Sequence, residues 1–577
     1  MKLFTILIFL YAFPATFYAQ VRLDIVCSAQ KESVNEEFGY KNEYKDSLSI
    51  EKHLRDFLTE LHSGGFLEAS IDSLAYSSHN VTAYLHKGPQ YKRIRVSLDQ
   101  IDKQVIRLLN IRAGRYEREP LNFPTFRNLQ NKILTHYENS GYPFATISLS
   151  GLQVNQDTIT GSLVVMKNHY YNIDSIHING DVPVKRKHLY RHIAIHPGDP
   201  YSEKSLIKVG ERIRRTPYLN EIREAEVEFM SKSADLYLYI DRQQASSFSG
   251  ILGIMPGGND RTVKLAGELN LNLLNVFRRM ERISLDWQNP GNHVQQMDLN
   301  LAQPYIFGRP FGIDLHLHLF RMDSTYMKVE AEAGVPLTLP EHGVMRVFGK
   351  TTATSLISSG PEKPYLNAPA AEVNGRIFGI SYRHSIMDNI INPYRGWLVS
   401  ASLGAGNKTV NPPPGYNYNE KKRKGFGEAV SQIEWFIPLS PASTIMLSNF
   451  SGIKLNIGSE KAYDHFFANE LFLLGGINSI RGFDERSLAA SAYSIQSLEY
   501  RYLFDTSGNI FIFFDGMLYN KKLPEKSIFD IPVGFGTGLT FNTPAGQFSI
   551  SYALGRELGN PVSFRSSRVH MGIINRF

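Results

Sequence analysis

The 577-residue chain has one cysteine, Cys27, and three tryptophans. A single thiol excludes an intramolecular disulfide and a cysteine metal cluster. After the first few residues there is no long uninterrupted apolar run, so no transmembrane helix is available. The chain also lacks a Gly-x-Ser-x-Gly elbow, a His-Glu-x-x-His pair and a phosphate-binding loop; Gly534-x-Gly536-x-Gly538 falls within a strand pattern instead. No catalytic residue, metal site or cofactor is therefore expected, and His316 with His318 on one strand face are too few for a metal. Charge is not concentrated. The net charge of +7 is mild, and Lys and Arg are scattered, whereas a nucleic-acid partner usually leaves a clustered basic face. The one basic run, Lys421-Lys422-Arg423-Lys424, reads as solvated loop.

Aromatic content is 12%, almost all Tyr and Phe, which favours β structure. Met1-Lys2 precedes an apolar run from Leu3 to Phe13, followed by Phe17-Tyr18-Ala19-Gln20. This reads as a signal peptide, residues 1–19. Asp24-Ile25-Val26 before Cys27 are charged or branched where a lipoprotein signal has small residues. An exported chain with no membrane helix is either soluble or a barrel, because only helices and closed barrels satisfy every backbone group in lipid.

A pattern repeats through residues 20–243 at intervals of roughly 70–75 residues. Each copy has a strand, helical segments, a Gly-containing turn and two further strands. The middle copy, 89–168, is the clearest. Its strand Tyr91–Val96 is followed by helical pieces at 102–109 and 125–139, the break Ser140-Gly141-Tyr142-Pro143-Phe144, and strands at 145–149 and 158–166. The third copy, 169–243, repeats this order. The first, 20–88, is partial, with a helix near 50–62, Gly64-Gly65-Phe66, and strands at 67–76 and 81–86.

From about Ser247 the helical period disappears and strict alternation begins. Ile313-Asp314-Leu315-His316-Leu317-His318-Leu319 is one such stretch, and Gln547-Phe548-Ser549-Ile550-Ser551-Tyr552 is another. Apolar residues toward lipid and polar residues toward a lumen give this pattern, so 244–577 is expected to be an all-β transmembrane barrel. At about 20 residues per strand and connection, it holds about 16 antiparallel strands. Thr543-Pro544-Ala545-Gly546 and Asp505–Asn509 are tight turns; the longer segment Asn520–Ile531 lies between them and Arg556–Ser566 lies beyond them. Short periplasmic turns and long outer loops are expected to alternate.

One outer loop, about Gly458–Ala492, contains Gly475-Gly476-Ile477-Asn478-Ser479-Ile480-Arg481-Gly482-Phe483. POTRA-like repeats of β-α-α-β-β form before a barrel, with Ile480-Arg481-Gly482-Phe483 between the eleventh and twelfth strands, resemble the BamA/TamA superfamily of outer-membrane assembly factors. Three such repeats are closer to the TamA branch than to the five usual in BamA. The resemblance implies a lumen-facing Glu on the next strand, matched by Glu499 in Ser497-Leu498-Glu499-Tyr500-Arg501. It also implies an aromatic-x-Asp pattern on the strand after, matched by Asp515 in Phe513-Phe514-Asp515-Gly516. Parity supports both: Leu498, Tyr500 and Tyr502 share the lipid side, as do Ile510, Ile512 and Phe514, which leaves Glu499 and Asp515 facing inward. Two inward carboxylates on neighbouring strands repel unless a cation lies between them, and a guanidinium can bond both. Arg481 is the expected cation, in a latch with Gly482, Phe483, Glu499 and Asp515.

A barrel closes between its first and last strands, here near Ser247–Met255 and Val569–Phe577. Gly250, Gly253 and Gly572 are expected to weaken that pairing, so the seam is assigned to Gly250, Gly253, Val569, Gly572 and Phe577. The resemblance implies a bacterial outer-membrane location, periplasmic POTRA domains, and insertion or translocation of unfolded outer-membrane clients through a seam that opens sideways. Its partners would be the lipid bilayer, the clients and possible periplasmic envelope proteins, with no nucleic acid. Two alternatives stay open: a secretion transporter passing polypeptide through the lumen, and a docking platform for an envelope-spanning partner in lipid traffic.

Overall fold

The computed structural model describes residues 21–27, 42–77, 80–257, 262–289, 294–322, 325–339, 343–357, 369–389, 392–413, 423–458, 465–477, 479–505, 508–524, 526–543, 546–557, 559, 561–562, 564 and 567–576, with backbone alone at 251–266, 542–547 and 571–576. The expected signal peptide, Lys421, Lys422, Asn478 and Phe577 lie outside the described residues. The chain divides into two compact units. One carries the first two α/β sheets, and the other carries most of the third together with the barrel.

The first sheet has four strands in the order Glu43–Tyr44, Val21–Cys27, Asn80–His86, Ser70–Tyr76. The first copy is therefore not partial: Val21–Cys27 opens it, running parallel to Asn80–His86. Helix Ser47–Ser63 starts where the Asp46 carboxylate accepts the Ser49 N–H at 2.8 Å. It buries Ile50, Leu54, Phe57 and Leu61, one face at helical spacing, on Leu23, Ile25, Val81, Ala83 and Leu85. The second sheet pairs Arg93–Ser97 parallel to Thr158–Met166, with Thr146–Asn155 on the other side. Its main helix, Phe123–Glu138, is capped by Asn122 and has Pro124 in its first turn. Helices Lys103–Leu108 and Ala113–Arg118 precede it. The third sheet orders Asn172–Asn179, Ser233–Arg242 and Leu219–Phe229, with helices Arg186–Ile193 and Glu203–Arg214.

A closed antiparallel barrel of seventeen strands follows, from Ser247–Gly257 to Arg568–Arg576. One of them, Ser527–Asp530, is a four-residue flap on Asn509–Lys522, which also pairs directly with Val533–Thr543. Setting the flap aside leaves the sixteen wall strands, numbered below in chain order. Around the predicted inward carboxylates the faces alternate as the sequence predicts. Tyr502 and Ile512 are 50% and 58% exposed on the outer face, while Glu499 and Asp515 are 3% and 0% exposed.

Two further expectations are corrected. Arg423 and Lys424 are not solvated loop; they begin the tenth wall strand, Arg423–Ser440, and Lys424 is buried. Short and long connections alternate as expected only in the C-terminal half. Near the start of the barrel the periplasmic connections are the longer ones, because they hold the third α/β layer. The Lys185 N–H donates to the Arg278 carbonyl at 3.0 Å, and the Asn275 amide donates to the Pro183 carbonyl at 2.9 Å. His192 reaches Tyr305 on the next such connection.

Candidate functional site: a lumen latch and a short seam

The loop between the eleventh wall strand, Ser443–Ile457, and the twelfth, Ala492–Leu503, is held at its neck by a small antiparallel pair, Phe472–Leu474 with Leu488–Ala490. Beyond the neck, Ile480 and Phe483 pack on Leu474, Leu488, Tyr493, Ile495, Met517 and Tyr519. That apolar anchor turns the intervening residue, Arg481, toward the wall.

Arg481 makes a bidentate fork to Asp515, Nε to Oδ2 at 2.8 Å and Nη2 to Oδ1 at 2.7 Å, and its backbone N–H donates to Oδ2 at 3.1 Å. Its remaining nitrogen, Nη1, donates to Glu499 Oε2 at 2.5 Å. Arg501 completes the set, Nε to Glu499 Oε1 at 2.6 Å, so two guanidinium groups meet two carboxylates. The Phe513 ring covers the Arg481 guanidinium at 3.6 Å. This closeness needs glycine. Gly482 has φ +92, and a Cβ there would lie 2.6 Å from the Leu554 carbonyl oxygen on the fifteenth strand, Gly546–Arg556. A Cβ on Gly534 of the fourteenth strand would collide with the Arg481 carbonyl.

Sequence reading missed a second anchor upstream in the same loop. Asn469 exchanges bonds with the backbone of Ala371, accepting from its N–H at 3.0 Å and donating to its C=O at 2.8 Å. Glu470 pairs with Lys408 of the ninth strand, Gly396–Asn411, both buried, and accepts from the Phe467 N–H at 3.0 Å. Lys454 of the eleventh strand donates to the Glu470 carbonyl at 2.6 Å. The loop is thus fixed to the wall at two separate places. The only sequence signal was the inward parity of Lys408 and Lys454. Their partners could not be named without the path of the loop. His316 and His318 face inward and share Asp298 Oδ1, at 3.1 and 2.7 Å.

At the closure, the first strand meets its second-strand neighbour in eleven register pairs, Ser247 with Asn272 through Gly257 with Thr262. Against the last strand it has two among the described residues, Ser247 with Arg576 and Phe248 with Asn575. Gly250 and Gly253 lie just beyond those pairs on the first strand. Val569 and Gly572 lie on the last strand, Val569 exposed on the outer face.

The Omp85 superfamily domain model matches residues 275–577, and the POTRA model, described as the surface antigen variable number repeat, matches 171–243. The chain is 23% identical over 437 residues to the outer membrane protein assembly factor BamA of Neisseria meningitidis serogroup B (strain ATCC BAA-335 / MC58), covering 71% of this chain and 52% of that protein. It thus spans about half the length of the curated relative it matches. Among solved structures, CdiB from Acinetobacter baumannii has a TM-score of 0.51 at 13% identity, covering 92% of this chain and 98% of that one. CdiB from Escherichia coli has the same score and coverage at 12% identity. Both likenesses concern the fold.

Proposed function

Since this chain belongs to the Omp85 superfamily, we propose that it is an outer-membrane protein assembly factor that guides unfolded clients into the bilayer through a barrel seam that opens sideways. It sits in the outer membrane with its POTRA domains in the periplasm. We take 20–88, 89–168 and 169–243 as three POTRA-type domains and 244–577 as the barrel. The observation that carries the reading is the seam. Among the described residues two register pairs hold the first and last strands, against eleven on the first strand's other side. Unpaired strand edges in lipid are costly, so a closure this short is where an incoming strand gains most by pairing. A client hairpin that adds to the edge satisfies its own backbone groups as it enters the membrane. No covalent chemistry is required of the barrel. The latch keeps the twelfth and thirteenth strands and the loop in register while the seam works.

The test uses the single native thiol to advantage. In a Cys27→Ser background, Phe248→Cys and Asn575→Cys place thiols on a directly opposed pair. Oxidation should stop client insertion into proteoliposomes, and reduction should restore it. Insertion that continues with the seam locked would sink lateral opening and favour passage through the lumen.

A further inference from the structure

The latch loop also touches the seam strand. Three residues after Arg481, Asp484 meets Arg568, the first residue of the last wall strand. Arg568 Nε donates to Asp484 Oδ1 at 2.6 Å and Nη2 to Oδ2 at 2.8 Å, a two-pronged contact. The four residues from Arg481 to Asp484 therefore lie against every strand from the twelfth to the sixteenth.

Position gives this contact its meaning. The last strand has seven register pairs with the fifteenth. Its two pairs with the first strand, at Asn575 and Arg576, are at its periplasmic end. Arg568 is at the opposite, outer end, where no pairing to the first strand occurs among the described residues. We propose that Asp484 and Arg568 tie the outer end of the seam strand to the latch loop, so that the seating of the loop sets how often the seam is shut. This role rests on the reading that the seam opens for clients. Both side chains are partly open to solvent, 64% for Asp484 and 36% for Arg568. An ion pair of that exposure adds little to global stability, yet its strict geometry makes it a positional tie that breaks and re-forms readily.

The test is the rate at which the two introduced thiols form a disulfide in the Phe248→Cys, Asn575→Cys, Cys27→Ser protein, full length and in vesicles. Asp484→Arg or Arg568→Asp alone should slow cross-linking roughly two- to five-fold. The swap of both, Asp484→Arg with Arg568→Asp, should return it to the parent rate, which loss of folding cannot mimic. Heat-modified gel mobility confirms a closed barrel in each variant. Single variants that cross-link like the parent, or a swap no better than either single, would overturn the tie. Client insertion that persists in the locked parent would overturn the lateral reading instead, so the two failures are separable.

Discussion

Asp515 and Glu499 sit on adjacent strands, both facing the lumen and both out of reach of bulk water. With Arg481 removed, Asp515 loses both prongs of its fork, and Glu499 keeps only Arg501. Breaking a buried pair by deleting one partner costs about 3–5 kcal/mol, because the remaining charge is stranded. Arg481→Ala should therefore lower the temperature at which the folded barrel converts to its unfolded gel mobility. Arg481→Lys should recover only part of the loss, since an ammonium is a single point charge and cannot fork to Asp515 while holding Glu499. A melting temperature for Arg481→Ala equal to that of the parent would show that the latch does not hold the barrel together.

At the scale of elements, helix Arg186–Ile193 docks on a periplasmic connection of the barrel through His192. Nε2 lies 3.0 Å from the Arg212 carbonyl, which can only accept, so that nitrogen carries the proton; Thr216 Oγ is 2.7 Å away. Nδ1 then accepts from the Tyr305 hydroxyl at 3.2 Å. Burial lowers the pKa of His192 below its ordinary 6.5, and nearby Arg212 and Arg215 add to this. The unfolded chain binds this proton near pH 6.5 and the folded chain only at lower pH, so stability rises with pH across that window. The contribution is intact above about pH 6.5 and is lost as pH falls through the folded value. Protection factors for Arg186–Ile193, exchange rates corrected for the intrinsic pH dependence of amide exchange, should fall below pH 6.5 in the parent and lose that pH step in His192→Gln; equal profiles would rule out the coupling. Elements of this kind differ in how far the sequence reveals them. The wall strands and the inward carboxylates were legible because a period of two fixes the face of every residue once one is known. Val21–Cys27 was not, because its parallel partner, Asn80–His86, is more than fifty residues away and no local turn announces the pairing. The Asn469 and Glu470 anchor and the contact of Asp484 with Arg568 were hidden for the same reason: each depends on the path of a loop that no periodicity encodes. Lys424 was misread because a basic run looks solvated until one member is seen on an inward strand face.

The barrel wall as a whole is uneven in height. Among the described residues the last strand has nine, Arg568–Arg576, and the third has eight, Arg282–Asn289. On the far side the tenth strand has eighteen, Arg423–Ser440, and the eighth has sixteen, Glu372–Met387. At about 3.4 Å per residue and a tilt of about 40°, nine residues rise about 23 Å and eighteen about 47 Å. A hydrocarbon core is about 30 Å thick. The far wall spans it with strand to spare, whereas on the seam side the first strand, at eleven residues, rises about 29 Å and the last strand alone falls short, so lipid fitted to the last strand is thinner than the 30 Å core. Thin lipid beside a short closure shortens the path of an entering hairpin. The cost of that thinning grows with the native thickness of the bilayer. Insertion by this protein should therefore fall as acyl chains lengthen from twelve to eighteen carbons. Spontaneous insertion also falls with thickness, so the quantity to compare is the rate above that of vesicles holding the seam-locked Phe248→Cys, Asn575→Cys protein. If that excess is flat across the series, the uneven wall has no part in insertion, and the short seam must act by strand pairing alone.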